Sequence, residues 1–327
     1  MKRVLRFFML GLLGLLCLVS LLAALLGYFV YTPDPQRPQL SGTLSKAVLE
    51  VDGLMRSYRT YVPKDLPQGA PLVVVMHGSG EGPQDIRKDT GYAFERLADL
   101  HGFAVAYPQS YGADWNDCSV VGDKELDGVR ADDAAYLAAM ADKLAAELRV
   151  DPSRVFAIGV SSGGTMALRL ALEQPSRYRA VAAVVANIPT RQNFQCKPTA
   201  QATSVMIMNG SEDPLVPYAG GDINLLGLFY KGGPIISSRA SAQYLAHWAH
   251  LAGEPQTSEH AVAEGVRVEH NRWPPAGART EVELVTIHGG GHGLPQPYAR
   301  RPRLLGPSPM APNGAAMIWA FFARQPK

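Results

Sequence analysis

Two hydrophobic patterns divide the chain. Residues 7–31 form an uncharged apolar run, led by Lys2, Arg3 and Arg6. About 20 apolar residues cross a bilayer as a helix, so the run is long enough to span one. Its positive leading end is expected on the cytoplasmic side, which sends the remainder across. A cleaved signal segment is the competing reading. It calls for a shorter apolar core and small residues at the cleavage site, and Leu25-Leu26-Gly27-Tyr28 makes a poor one. Cys17 follows Leu16 where a lipoprotein site wants a small residue, so it reads as apolar filler. Residues 1–31 are therefore expected to be a membrane anchor or signal segment. Residues 32–41, rich in proline and polar side chains, read as a linker, and residues 42–327 as one folded domain.

Beyond the linker the pattern changes to short apolar runs. Strands are predicted at 47–51, 58–62, 72–76, 104–107, 155–160, 180–186, 205–209 and 282–287. Several are unbroken Val, Ile, Met and Ala, as in strands buried on both faces of a parallel sheet. Helices are predicted at 93–101, 132–148, 162–173, 239–251 and 314–324. Strands alternating with helices imply an α/β fold with a mostly parallel central sheet.

Composition narrows the function. The chain of 327 residues is 47% hydrophobic and 18% charged, with a net charge of +2 and no long basic run, so nucleic acid is not an expected partner. The N-terminal segment places the domain in an oxidising compartment. Cys118 and Cys196 are then its two thiols, either joined as a disulfide or buried separately.

The most informative segment is Val155-Phe-Ala-Ile-Gly-Val-Ser-Ser-Gly-Gly. An apolar strand runs into Gly159-Val160-Ser161-Ser162-Gly163, and a helix follows at once. This is G-x-S-x-G in strand–turn–helix context, the nucleophile elbow of the α/β-hydrolase fold. The two glycines leave room where a side chain would strike the neighbouring strand and helix. Ser161, with a glycine two residues away on each side, is the candidate nucleophile rather than Ser162.

A serine hydroxyl needs a base oriented by a third group. On this fold the acid and then the histidine follow the serine in sequence. His247 and His250 fall in a helical pattern, and His260 and His270 in polar segments. His288 and His292 both follow the last strong strand, in Ile287-His-Gly-Gly-Gly-His-Gly. The glycines around His292 make it the candidate base. A zinc reading of His288 and His292 is set aside because no acidic or cysteine ligand stands near them in sequence. No metal or cofactor is expected. The candidate acid is Asp213, in the turn Asn209-Gly-Ser-Glu-Asp-Pro, with Glu212 the neighbour to exclude. The oxyanion donors are expected from Ser162 N–H and from the loop His77-Gly78-Ser79-Gly80, with Ser79 preferred over Gly80. His77 reads as a residue that holds that loop.

These pieces resemble the esterase family of secreted polyhydroxybutyrate depolymerases and feruloyl or acetylxylan esterases. The resemblance is carried by Val75-Met-His-Gly-Ser-Gly, Asp114-Trp-Asn-Asp-Cys, Gly159-Val-Ser-Ser-Gly-Gly, Asn209-Gly-Ser-Glu-Asp-Pro-Leu-Val-Pro-Tyr, Gly289-Gly-Gly-His and Ile318-Trp-Ala-Phe-Phe. It implies the same triad and oxyanion donors, and places Trp115 and Asn116 near the substrate cleft. Members often carry a tryptophan and a proline after the base. Gly293-Leu294-Pro295 stands here, so one aromatic wall is expected to be missing. The apolar stretch 225–230 is expected either to line an acyl pocket or to pack as a short segment. The expected activity is hydrolysis of a small or oligomeric carboxylic ester, such as a hydroxyalkanoate oligomer or an aromatic acid ester. A peptidase or acyltransferase using the same triad, or a membrane-tethered binding protein, are the other readings.

Overall fold

The computed structural model describes residues 2–225, 227, 231–251, 253–274 and 280–326. Helix α1 (Lys2–Val30) comes first. Its segment Arg6–Val30 is long and apolar enough to cross a membrane, has mean hydropathy 2.7, and none of it is buried.

The catalytic body begins with strands β1 (Thr43–Val51) and β2 (Leu54–Val62), an antiparallel hairpin turned by Asp52 and Gly53. Both turn residues have positive φ, as the tightest hairpin turn requires. Then follow β3 (Leu72–Met76), α2 (Pro83–Asp89), α3 (Ala93–His101), β4 (Ala104–Pro108), α4 (Asp133–Leu148), β5 (Val155–Val160), α5 (Ser162–Glu173), β6 (Ala180–Val184) and β7 (Ser204–Gly210). A small antiparallel pair, β8 (Gly221–Asn224) and β9 (Lys231–Ile235), leads to α6 (Ser238–Trp248). The chain closes with β10 (Gln256–Ala261), β11 (Arg267–Trp273), β12 (Val282–Ile287) and α7 (Gly314–Ala323).

The main sheet has 10 strands in the order β1-β2-β4-β3-β5-β6-β7-β12-β11-β10. From β4 to β12 every pair is parallel, and antiparallel strands close both edges. Because side chains alternate across a strand, β3 sends Leu72, Val74 and Met76 into one core and Val73 and Val75 into the other. The first core is filled from α4, α5 and α6 by Leu137, Met140, Met166, Leu170 and Leu245. The second is filled from α3 and α7 by Phe94, Leu97, Ile318, Phe321 and Phe322. This two-faced burial makes the central strands read as unbroken apolar runs.

The strands missing from the sequence pattern are the short separate pair β8 and β9, and β10 and β11 at the far edge of the main sheet. β10 is exposed along its whole length, and β11 reads Arg-Val-Glu-His-Asn-Arg-Trp. Their place is set by ladder pairing to β12, not by burial, so polar composition hid them. The polar segments that hold His260 and His270 are therefore strands. β6 ends at Val184, two residues short of the predicted 186, because Val185 turns away with positive φ. Cys118 and Cys196 are joined as a disulfide with Cα atoms 4.8 Å apart. It ties the loop after β4 to the loop after β6. Of the stretch 225–230, residues 226 and 228–230 lie outside the described residues.

Candidate active site

Four loops meet at the carboxyl ends of the parallel strands, the usual place for a site on an open α/β sheet. β5 delivers Ser161 with φ 56° and ψ −120°, a backbone state that costs a non-glycine residue about 1–3 kcal/mol. The turn is enforced by close approach. A Cβ on residue 159 would lie 1.9 Å from Gly163 O, and one on residue 163 would lie 2.5 Å from His77 O. Ser161 N–H donates to Val184 O (2.9 Å), and Ser161 O accepts from Thr165 N–H at the start of α5 (3.0 Å). The serine is thus held out of the sheet at the end of a helix whose dipole favours negative charge.

β12 delivers His292, and β7 delivers Asp213. Their side chains are 5% and 1% exposed, and His292 Nδ1 lies 2.8 Å from Asp213 Oδ2. An ionised carboxylate can only accept, so the proton sits on Nδ1. The other oxygen, Oδ1, accepts from Leu215 N–H and Val216 N–H, both at 2.8 Å. Asp213 is fixed by its own turn. Glu212 is exposed. His292 is anchored by its backbone N–H to Leu305 O (2.7 Å). Ser161 and His292 line one cavity of 210 Å³ with Gly78, Ser79, Glu81 and Arg301. Among the rival histidines, His247, His250 and His260 are exposed, and His270 pairs with Glu283 (2.6 Å).

The loop after β3 is held from below. Ser110 N–H donates to His77 Nε2 (3.1 Å), so the ring proton is on Nδ1, and Nδ1–H donates to Gly78 O (2.7 Å). Burial lowers the His77 pKa, which keeps that ring neutral. In a trans peptide the N–H points opposite the carbonyl. With Gly78 O turned to His77, the Ser79 N–H of the same peptide points away from that ring, and Ser79 lines the cavity. Gly80 N–H donates to Ala113 O (2.8 Å), so the Gly80 alternative is already engaged.

Trp115 and Asn116, expected at the cleft, line neither cavity at Ser161. Trp115 is fully buried; its Nε1–H donates to His77 O (2.9 Å) and its backbone N–H to Ser162 Oγ (3.1 Å). It braces the loop after β3 against the turn at Ser161. Asn116 donates to Ala131 O (3.0 Å) and faces a separate groove with Arg130 and Arg169. Leu294 turns into the core, against Gly314 at the start of α7. The premise that no acidic residue stands near His288 is corrected. Pairing of β10, β11 and β12 brings ligand atoms of Glu259, Glu269 and His288 within 4.8 Å of one another. Arg267 and Asn271 already bind those two carboxylates.

Ser161 also lines a second, tighter cavity of 20 Å³, together with Asp117, Ser119, Thr165, Val185, Pro189 and Ile235. Residues that sequence reading missed are Glu81 and Arg301, which stand in the wall of the larger cavity. Glu81 directly follows His77-Gly78-Ser79-Gly80, and that adjacency was the available signal.

Comparison with known proteins follows the same lines. The family described as "Esterase PHB depolymerase" matches residues 56–217. NocK of Nocardia uniformis subsp. tsuyamanensis, which is named as an esterase, is 31% identical over 293 residues, covering 84% of this chain and 81% of that protein. The chain belongs to the polyhydroxybutyrate depolymerase family of esterases. As a family member it is a carboxylic ester hydrolase. Poly(3-hydroxyalkanoate) depolymerase C of Paucimonas lemoignei is 28% identical over 72% of this chain, which spans 58% of that protein's length. An acetyl xylan esterase from Aspergillus awamori superposes with TM-score 0.55 at 17% identity, covering 78% of this esterase and 95% of its own chain. At that identity the likeness is one of fold: the α/β-hydrolase fold expected from sequence.

Proposed function

We propose that this esterase cleaves its substrate through an acyl-enzyme on Ser161, with His292 as base and Asp213 as the acid that orients it. The observation that carries the reading is the buried His292–Asp213 hydrogen bond at 2.8 Å, beside a cavity shared by His292 and Ser161. With Nδ1 protonated toward Asp213, Nε2 is the basic nitrogen. It takes the Ser161 proton as Oγ attacks the ester carbon, then protonates the leaving alcohol. A water then gives a proton to Nε2 as its oxygen attacks the acyl carbon, and Nε2–H returns that proton to Ser161 Oγ as the C–Oγ bond breaks and the acid leaves. Ser79 and Ser162 N–H groups bind the oxyanion, each worth about 3 kcal/mol of barrier.

The two cavities support a division of the substrate into halves. The leaving alcohol must sit beside the base, so it takes the 210 Å³ side lined by His292. The acyl group takes the 20 Å³ side. One water-sized group needs about 10–15 Å³, so that side holds one or two such groups. This favours a short aliphatic acyl group on a larger alcohol over a feruloyl or long hydroxyalkanoyl group. We also propose that α1 tethers the domain outside the cytoplasm, a placement that the disulfide and the apolar helix both fit.

The test is a nitrophenyl ester series from acetate to octanoate, with methyl ferulate, hydroxybutyrate oligomers and peptide amides, run beside Ser161→Ala. The expected order is acetate at or above butyrate, far above octanoate and ferulate, with no turnover by Ser161→Ala. Turnover retained by Ser161→Ala sinks the mechanism; octanoate preferred over acetate sinks the acyl assignment.

A further inference from the structure

The segment that carries the base also carries an arginine that reaches the oxyanion loop. Residues 291–309 fold back on themselves: Gly291 N–H donates to Pro307 O and His292 N–H to Leu305 O, both at 2.7 Å. Arg301 N–H donates to Ser308 Oγ in the same segment (2.9 Å). The Arg301 stem passes over Gly293, where a Cβ would lie 3.1 Å from Arg301 Cγ. From there the guanidinium crosses to the other wall of the cavity. Its Nη2 donates to Glu81 Oε1 (3.2 Å), and its Nη1 pairs with Asp89 at the end of α2. Glu81 uses its second oxygen, Oε2, to accept from Gly78 N–H (3.0 Å). An unbroken path therefore runs from the His292 segment through Arg301 and Glu81 to the loop bearing Ser79.

We propose that Arg301 and Glu81 are positioning residues, which hold the oxyanion loop at a fixed distance from His292. This rests on the reading of Ser161, His292 and Ser79 given above. The reason to hold that distance is chemical. The donor must meet the oxygen of a tetrahedral intermediate whose carbon is bonded to Ser161 and whose leaving oxygen faces His292, and misplacement by 1 Å can cost about a hundredfold in rate. Two loops from distant parts of the sequence keep such tolerance only if something stiff joins them. A planar guanidinium gripping two carboxylates is stiffer than a lysine, which offers one point of charge. The side chains of Arg301, Glu81 and Asp89 are 16%, 23% and 28% exposed, so water screens the contacts only in part.

The charge states fit that role. Burial opposes ionisation of Glu81, but Arg301, a hydrogen bond with Asp89 and the Gly78 N–H outweigh it and hold its carboxyl below the usual range. Asp89 is pushed up to about 7 by burial, with Glu81 adding to Arg301's failure to offset it. Glu81 is thus the carboxylate that stays ionised and clamps Gly78.

The test compares wild type, Arg301→Ala, Arg301→Lys and Glu81→Gln in the full chain, after thermal melting has shown each to be folded. For the best short nitrophenyl ester, kcat should fall about tenfold or more in Arg301→Ala while KM changes by less than about threefold. Glu81→Gln keeps an oxygen for Gly78 N–H but loses its charge for Arg301, and Arg301→Lys keeps charge without the fork; both should fall between. Affinity for an arylboronic acid, which forms a tetrahedral adduct on Ser161 and fills the oxyanion site, should fall by the same factor as kcat. A merely structural ion pair would lower the melting temperature and leave the boronate affinity per folded enzyme unchanged, which overturns the proposal. A raised KM with unchanged kcat also overturns it, since Arg301 would then contact substrate. A wild type without esterase activity or fluorophosphonate labelling overturns the site reading itself, and this proposal with it.

Discussion

At the level of single residues the site depends on groups that have no room to change. Gly159 is the sharpest case. An added methyl would overlap Gly163 O at 1.9 Å, and the atoms it meets are backbone. Gly159→Ala is expected to lose about 3 kcal/mol of stability in urea unfolding, at the upper end for overpacking, and to lose activity. Asp213→Asn tests a different dependence. Oδ1 is committed to two backbone N–H donors, so the new amide nitrogen must occupy the Oδ2 position facing His292. It would then donate to Nδ1, forcing the ring proton onto Nε2, where a base cannot use it. The variant should stay folded while kcat falls about 10⁴-fold, as in other serine enzymes whose acid is replaced in this way. A drop of less than tenfold would count against Asp213 as the orienting acid. Ser161 and its glycines were legible in sequence because the elbow is local: strand, turn and helix are contiguous. Asp213 and His292 were legible because each follows a strong apolar strand. Arg301 was not, since its partner Glu81 lies 220 residues away, and Asp89 nearly as far, along a chain whose folding alone joins them.

At the level of elements the central strands declared themselves, since burial on both faces leaves only apolar residues. Edge elements did not. β10 is polar because solvent covers it, β11 buries only Val268, Asn271 and Trp273, and the partners of His288 were hidden with them. The loop after β4 is another element that sequence read only in part. Trp115 was placed at the cleft by resemblance, yet it is fully buried and braces His77 from beneath. That loop is held by the disulfide between Cys118 and Cys196, which spans a sequence separation of 78. Closing a loop of that length removes about 4 kcal/mol of unfolded-state entropy on the chain-entropy estimate. Cys118→Ser with Cys196→Ser is therefore expected to lower unfolding free energy by about 2–5 kcal/mol. Wild type unfolded in excess reductant should fall to the same value. Equal stability of oxidised and reduced protein would show that the bond constrains nothing.

At the level of the whole molecule, the apolar helix and the catalytic body are two materials with one join. Helix α1 is unburied along its membrane-length segment and so contributes nothing to the two cores. Its end meets the body where Arg303 Nη1 donates to Tyr28 O (3.0 Å) and its guanidinium lies 4.3 Å from the Tyr28 ring centroid. A partly exposed contact of this kind is worth about 1 kcal/mol, too little to set the stability of the fold. Removing residues 1–31 should leave the melting temperature within about 2 °C and kcat/KM unchanged, since a loss of 1 kcal/mol moves a domain this large by only about that much. The same removal should shift the protein from the membrane fraction to the soluble fraction. If α1 instead completes the substrate cavity, the truncated enzyme will show a raised KM. The side of the membrane can be read separately: a fluorophosphonate that cannot enter the cytoplasm should label Ser161 in intact cells expressing the full chain, and labelling only after lysis would place the active site on the wrong side for a disulfide-bearing domain.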